Sequence, residues 1–224
     1  VMPSILLASN SPRRKELLAL TGLPFVILPV NVDETPKPKE DPESCARRLA
    51  ETKAQTAINQ AEAMGFPTDQ LILASDTIVV MDGEILGKPV DEEDAKRMLK
   101  ILKGKTHQVI TAICIQRTHS EERATDVCIS PVPMRKYTDD EITAYIETGD
   151  PLDKAGAYAI QHSGFHPVHG MKDCYASVMG LPLCHVSRLM TRFGISSDEE
   201  TPTACQQYLN YKCPVFSTIL GKTE

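Results

Sequence analysis

Apolar and polar positions fall in short blocks along this chain, and the period changes from block to block. Ser4-Ile5-Leu6-Leu7-Ala8 is a brief apolar run of the kind a buried strand makes. Ser11-Pro12-Arg13-Arg14-Lys15-Glu16-Leu17-Leu18 then carries the marks of a helix start, with a serine to cap, a proline in the first position and Gly22 to close it. Residues 25–30 predict a second strand, 33–42 a polar loop rich in proline, and Asp41-Pro42-Glu43 the opening of a helix that runs to Met64. Leu71-Ile72-Leu73-Ala74 leads into Thr77-Ile78-Val79-Val80, and Asp82-Gly83 predicts a tight turn that returns residues 84–86 as a hairpin partner. A helix over 91–103, strands over 108–116 and 124–134, and a capping box at Thr138-Asp139-Asp140-Glu141 follow. Residues 157–161 read as a strand and 183–193 as the last core helix. Past Gly194 the period fades. The alternation of strands and helices predicts an α/β domain around one mixed sheet, over residues 3–194, with a tail over 195–224 to which no role is assigned.

Composition narrows the class. At 224 residues with 42% hydrophobic and 24% charged positions, the chain has the means for a sizeable core, which excludes wholesale disorder. No apolar run approaches the roughly 20 residues of a membrane span. A net charge of -6 argues against a protein that grips nucleic acid, while leaving room for a local basic pocket. The opening residues carry no secretory pattern, and the seven cysteines are scattered without a C-x-x-C. The expectation is a cytoplasmic protein with reduced thiols.

Several stretches carry candidate chemistry. Ala8-Ser9-Asn10-Ser11-Pro12-Arg13-Arg14 feeds a strand into a helix N-terminus, where free N–H groups and the helix dipole favour an anion. Arginine in a first turn is locally unfavourable, and a bound phosphate would compensate it; the bland alternative is a solvated basic turn. Asp76 follows an apolar strand, where a carboxylate can hold a hard cation, activate a water or simply cap a turn. Gly87-Lys88-Pro89 offers a lysine in a loop that permits close approach. Glu34 is a second candidate carboxylate, and Lys53 a second candidate lysine, near Arg47 and Arg48. Gln161, at the end of Asp153-Lys154-Ala155-Gly156-Ala157-Tyr158-Ala159-Ile160-Gln161, has the donor and acceptor needed to read a base edge. His162, His166, His169 and Cys174 superficially suggest zinc but lack a regular ligand pair, so a polar loop is the preferred reading. Neither a Walker A loop nor a G-x-S-x-G elbow occurs.

The order of these stretches resembles the Maf family of nucleotide pyrophosphatases. The resemblance rests on Ser9-Asn10-Ser11-Pro12-Arg13-Arg14-Lys15-Glu16-Leu17-Leu18, Val32-Asp33-Glu34, Ala74-Ser75-Asp76-Thr77-Ile78-Val79, Gly87-Lys88-Pro89, Thr106-His107-Gln108-Val109, the stretch ending at Gln161, and Gly180-Leu181-Pro182-Leu183. It implies a mixed twisted α/β sheet in two lobes with a deep central cleft, akin to the inosine-triphosphate pyrophosphatase architecture, an anticodon-binding-like superfold being the alternative. It implies hydrolysis of a nucleoside triphosphate between the α and β phosphates with a divalent cation, Mg²⁺ or Mn²⁺, and a dimer. By the same resemblance Arg13, Arg14 and Ser11 hold phosphates, Lys53 and Lys88 add positive charge, Glu34 and Asp76 hold the metal, Asp76 activates the water, and Gln161 reads the base. The form Ala157-Tyr158-Ala159-Ile160-Gln161 resembles the branch that acts on dTTP and UTP, including modified pyrimidine forms.

Two departures stand out. His162 occupies a position where the family usually has glycine, and Lys172-Asp173-Cys174-Tyr175-Ala176-Ser177 replaces the usual G-D-Y-x-N-V-V-G pattern. Two alternatives stay open: another nucleotide specificity, such as 7-methyl-GTP or a noncanonical purine, and a non-catalytic nucleotide-binding regulator of cell division.

Overall fold

The first apolar run is a strand because its neighbours cover it on both sides. In the computed structural model, which describes residues 5–221, β1 (Ile5–Leu7) lies parallel to both β2 (Phe25–Ile27) and β3 (Leu71–Met81). β3 pairs antiparallel with β5 (Thr106–Arg117) and, through the Asp82-Gly83 turn, with β4 (Glu84–Leu86). Both turn residues have positive φ, 52° and 84°, as a two-residue hairpin requires. β6 (Arg123–Pro133) pairs antiparallel with β5, giving the mixed order β2-β1-β3-β5-β6.

Helices cover both faces. α1 (Pro12–Ala19) starts at Ser11, whose hydroxyl accepts from Arg14 N–H, and α2 (Pro42–Ala63) starts at Asp41, whose carboxylate accepts from Ser44 N–H. The small-residue face of α2 (Ala46, Ala50, Ala54, Ala57) packs against Leu6, Ile72, Ala74 and Ile78. On the opposite face α1, α5 (Tyr175–Val178) and α6 (Leu183–Arg192) pack against Ile5, Leu7, Leu71 and Leu73. A third cluster gathers α3 (Glu92–Leu102) and α4 (Asp139–Glu147) around Val79 and Met81 at the far end of β3, and this is the second lobe.

The reading of the sequence needs four corrections. The strand predicted over 25–30 ends at Ile27. Residues 71–81 form one continuous strand, so Asp76 sits in its middle and not at a strand end. Residues 157–161 are not a strand. Gly156 and Ala157 have φ of 70° and 59°, a left-handed backbone that breaks the extension at once, and Ile160 and Gln161 lie in a turn. The tail is not featureless, because α7 (Thr201–Leu209) and α8 (Phe216–Leu220) pack on α6. The expected domain start at residue 3, the strand residue Ser4 and the last three tail residues lie outside the described residues.

Candidate active site

β1 stops at Leu7 while β3 runs on to Met81, so the middle of β3 loses its neighbour on that side. There the apolar alternation breaks into Ser75, Asp76 and Thr77, and the two lobes part. A cleft of about 720 Å³ opens at this point, and Ser11, Arg13, Arg14, Glu34, Lys53, Asp76, Lys88 and Gln161 all line it. That volume suits a small-molecule ligand.

Strand alternation sends Asp76 to the α2 side and its two neighbours to the other. On the α2 side Lys53, 7% exposed, donates 2.6 Å hydrogen bonds to both Asp76 Oδ1 and Glu34 Oε1. Lys88 approaches the second oxygen of Glu34 at 3.6 Å. Burial favours a neutral Glu34, but the hydrogen bond from Lys53 and the charges of Lys53, Lys88 and Arg14 hold its carboxyl below the ordinary value. One buried lysine thus binds two carboxylates, and with Lys88 on Glu34 the four charges balance.

On the other side Arg14 is held by three acceptors. It donates to Gly180 O at 2.9 Å, Thr77 Oγ1 at 3.1 Å and Ser9 Oγ at 3.5 Å. Thr111 donates to Ser177 O at 2.8 Å, so Thr77 must be the donor in its 3.0 Å bond to Thr111, and the chain of donors runs one way from Arg14 to Ser177. Ser75 Oγ also donates to Gly180 O, at 2.6 Å. Gly180 has φ of 102°, and a Cβ there would lie 2.9 Å from Arg14 Nε, so only glycine fits. Burial pulls the Arg14 guanidinium below its ordinary value, and the charges of Asp76 and Glu34 oppose that pull. Arg13 faces the same cleft and makes no side-chain hydrogen bond among the described residues.

At the far rim Tyr145 fixes the segment that ends in Gln161. Its hydroxyl donates to Asp150 Oδ2 at 2.6 Å and accepts from Ala159 N–H at 2.9 Å. Lys154 ties Asp150 and Asp153 together. His162 stacks edge-on against Tyr145, and its Nδ1 accepts from Phe165 N–H at 2.9 Å. The suspected zinc ligands do not converge: among the described residues no three His, Cys, Asp or Glu side chains gather as a metal site. Arg47 and Arg48 pair with Glu43 and Glu40 outside the cleft.

Sequence reading missed the roles of Ser75, Thr77 and Thr111, which anchor Gly180 and Arg14, and of the buried His107–Tyr158 pair at 2.8 Å under the rim. The signal for Ser75 and Thr77 was present, since consecutive polar residues inside an 11-residue apolar strand mark a break in the core. Burial takes His107 down to about 4, which keeps its ring neutral against Tyr158.

Fold and site together define a mixed α/β protein whose cleft sets a helix N-terminus with two arginines opposite a carboxylate pair on a buried lysine. The family model described as Maf-like protein matches residues 4–193, and the chain belongs to that family. The chain is 46% identical over 183 residues to a protein of Citrifermentans bemidjiense named dTTP/UTP pyrophosphatase, covering 82% of this chain and 92% of the relative. It is 42% identical over 217 residues to a protein of the same name from Thermomicrobium roseum, covering 95% and 94%. Among solved structures it is similar to the Staphylococcus aureus Ham1 protein at 14% identity and a TM-score of 0.43, with 92% of this chain and 98% of that one covered, a likeness too loose to bear on the site. No helix of the described residues is long and apolar enough to cross a membrane.

Proposed function

We propose that this chain hydrolyses dTTP, UTP and modified pyrimidine nucleoside triphosphates to the monophosphate and pyrophosphate. The observation that carries the reading is the convergence of all eight candidate residues on one cleft, with Lys53 bridging Asp76 and Glu34 opposite Arg13 and Arg14. The names of the relatives supply the substrate class.

The charges decide what else is needed. Arg13, Arg14, Lys53, Lys88 and Lys154 face Glu34, Asp76, Asp150 and Asp153, a surplus of one positive charge. A fully ionised triphosphate brings about four negative charges, so the protein alone underneutralises it. Two hard carboxylates beside a phosphate-binding wall are a donor set that fits Mg²⁺ or Mn²⁺, which bind through one or two carboxylates plus substrate oxygens. In this reading Glu34 and Asp76 hold the ion, which supplies charge neutralisation at the phosphates.

The side chains divide the remaining work. Arg14, fixed by its three acceptors, and the N–H groups at the start of α1 beside Ser11 position the phosphates. Arg13 and Lys88 add charge from the cleft wall. Lys53 holds the Asp76 carboxylate at the cleft wall, and Asp76 takes the proton of a water aimed at the α phosphorus. The new bond joins the water oxygen to that phosphorus, and the bond to the bridging oxygen breaks, so pyrophosphate leaves. Gln161, on the rim, reads the base edge. The family resemblance, and not the site, suggests a cytoplasmic enzyme and a homodimer.

The test is pyrophosphate release from canonical and modified nucleoside triphosphates with Mg²⁺, Mn²⁺ or EDTA. Cation-dependent release strongest with dTTP and UTP is the expected result. Release from 7-methyl-GTP alone overturns the base assignment, and binding without release overturns the enzyme.

A further inference from the structure

The stretch that ends in Gln161 lies where the two lobes meet, and Ile160 packs against the apolar cluster of each. The Gln161 side chain is exposed, lines the cleft and makes no hydrogen bond among the described residues. Its aim is therefore set by the backbone that carries it. Two tyrosine hydroxyls hold that backbone. From the second lobe, Tyr145 of α4 accepts from Ala159 N–H at 2.9 Å. From the first, Tyr175 at the start of α5 donates to Ile160 O at 3.3 Å.

The tail stands directly behind Tyr175. α7 ends at Asn210, whose left-handed φ of 47° reverses the chain, and Tyr211 N–H closes the turn on Gln206 O at 3.1 Å. Gln206 Oε1 accepts from Cys213 N–H at 2.9 Å, so Tyr211 is held from both sides. Its ring packs on that of Tyr175, with centroids 5.3 Å apart at 41°. Its hydroxyl donates to Asp173 O at 2.9 Å, with Met171 O 3.2 Å away. Asp173 is held in turn from the sheet, where its Oδ1 accepts from the buried Ser130 of β6 at 2.8 Å. Residues 171–175 are thus gripped between β6 and the tail. The departure from the family pattern over 172–177 begins here, and the tail lies beyond residues 4–193, which the family model matches.

We infer that, on the reading of Gln161 as the residue that meets the base, Tyr175 and Tyr211 are its positioning residues, and the tail sets base choice through them. Neither tyrosine lines the cleft, so both act through Ile160. The Ile160 carbonyl belongs to the rigid peptide plane that joins Ile160 to Gln161. Fixing it fixes the direction in which the Gln161 side chain leaves the backbone, so the amide donor and acceptor meet a base edge in one register. Burial raises both hydroxyls, Tyr211 to about 12, so each remains a donor at neutral pH. The phosphate end of the cleft hangs on other bonds, those of Arg14 to Gly180, Thr77 and Ser9. Loosening the tyrosines therefore moves base choice more than turnover.

The test compares Tyr175→Phe and Tyr211→Phe with the unmodified full chain, in pyrophosphate release from dTTP and GTP and in amide hydrogen exchange over residues 159–162. Each variant keeps the ring and removes one hydroxyl. The expected result is a raised KM for dTTP and a preference for dTTP over GTP lowered about threefold, with kcat within about twofold and faster exchange over 159–162. In a Gln161→Ala background, Tyr211→Phe lowers the preference no further. Tyr208→Phe removes a tail bond of the same kind, the one of 2.6 Å to Glu16 of α1, and leaves both readouts unchanged. An equal loss of preference in Tyr208→Phe, an additive loss in the double variant, or an unmoved preference in Tyr175→Phe overturns the proposal. An unmodified chain that releases no pyrophosphate, or prefers neither nucleotide, overturns the reading of Gln161 instead. Unmoved exchange over 159–162 overturns the hold of the tail on that segment whatever the substrate.

Discussion

Asp76 and Asp126 are both strand carboxylates bound by a cation from a helix on the sheet, and they are put to opposite uses. Asp76 shares Lys53 with Glu34, two carboxylates to one buried cation, in a cleft that solvent enters. Asp126 receives both His185 and Arg188, two cations to one carboxylate, against α6. The first ratio leaves Glu34 to the exposed Lys88 and keeps both carboxylates on an open cleft. The second uses the carboxylate up and holds the buried His185 ring above its ordinary value, at about 9. The stoichiometry of charge, more than the identity of the acid, decides which chemistry each site offers.

Breaking the first ratio has the largest expected effect. Asp76→Asn lowers kcat by roughly 10²–10⁴-fold with the fold intact, read by pyrophosphate release beside circular dichroism. Full activity in that variant removes Asp76 from the chemistry. Lys53→Met leaves two facing carboxylates without their shared cation, so one is driven toward protonation. A loss of roughly 10²-fold is expected, with the acid limb of the rate profile moved to higher pH, and an unmoved limb contradicts the bridging role.

The second ratio shows in stability. Asp126→Asn costs roughly 2 kcal/mol near pH 6 in chemical denaturation. The His185 contribution is complete below its unfolded value of 6.5 and is lost as pH rises through about 9. The Asp126 contribution is present above its unfolded value of 3.8 and is lost as pH falls toward its depressed folded value. The difference between unmodified chain and variant is therefore widest between about pH 4 and 6.5. A difference independent of pH would mean that packing, and not charge, carries it.

Smaller effects sharpen the cleft. Gly180→Ala places a Cβ 2.9 Å from Arg14 Nε at a φ of 102°, which costs roughly 1–3 kcal/mol of stability and raises KM for dTTP. Gln161→Ala reduces the preference for dTTP over GTP by roughly tenfold with little change in pyrophosphate inhibition.

How much of this the sequence disclosed depends on range. The capping box at Thr138 and Glu141, the Asp82-Gly83 turn and the start of α1 were legible because each is settled by residues a few positions apart. The eight cleft residues were legible through motif order, not through their contacts. The sharing of Lys53 between residues 34 and 76 joins three separate elements and leaves no local trace. Residues 157–161 misled because small and large side chains alternate there as in a strand, while Gly156 just before them and Ala157 at their start are left-handed. The tail helices escaped notice because α7 turns a mostly polar surface outward and finds its apolar contacts through Cys205 and Leu209, against Tyr175 and Leu183.

The two arginines at the mouth of α1 differ in what binding asks of them. Arg14 arrives with its guanidinium already immobilised by Gly180, Thr77 and Ser9, whereas Arg13 keeps its rotamer freedom until a ligand comes. Ordering a long side chain costs about 0.5–1.5 kcal/mol, a cost borne during folding for Arg14 and during association for Arg13. On the proposed reading Arg14 would work as a template and Arg13 as a clasp. In calorimetry, removal of Arg13 should make the entropy of nucleotide binding less unfavourable even as affinity falls, and removal of Arg14 should show its loss chiefly in enthalpy.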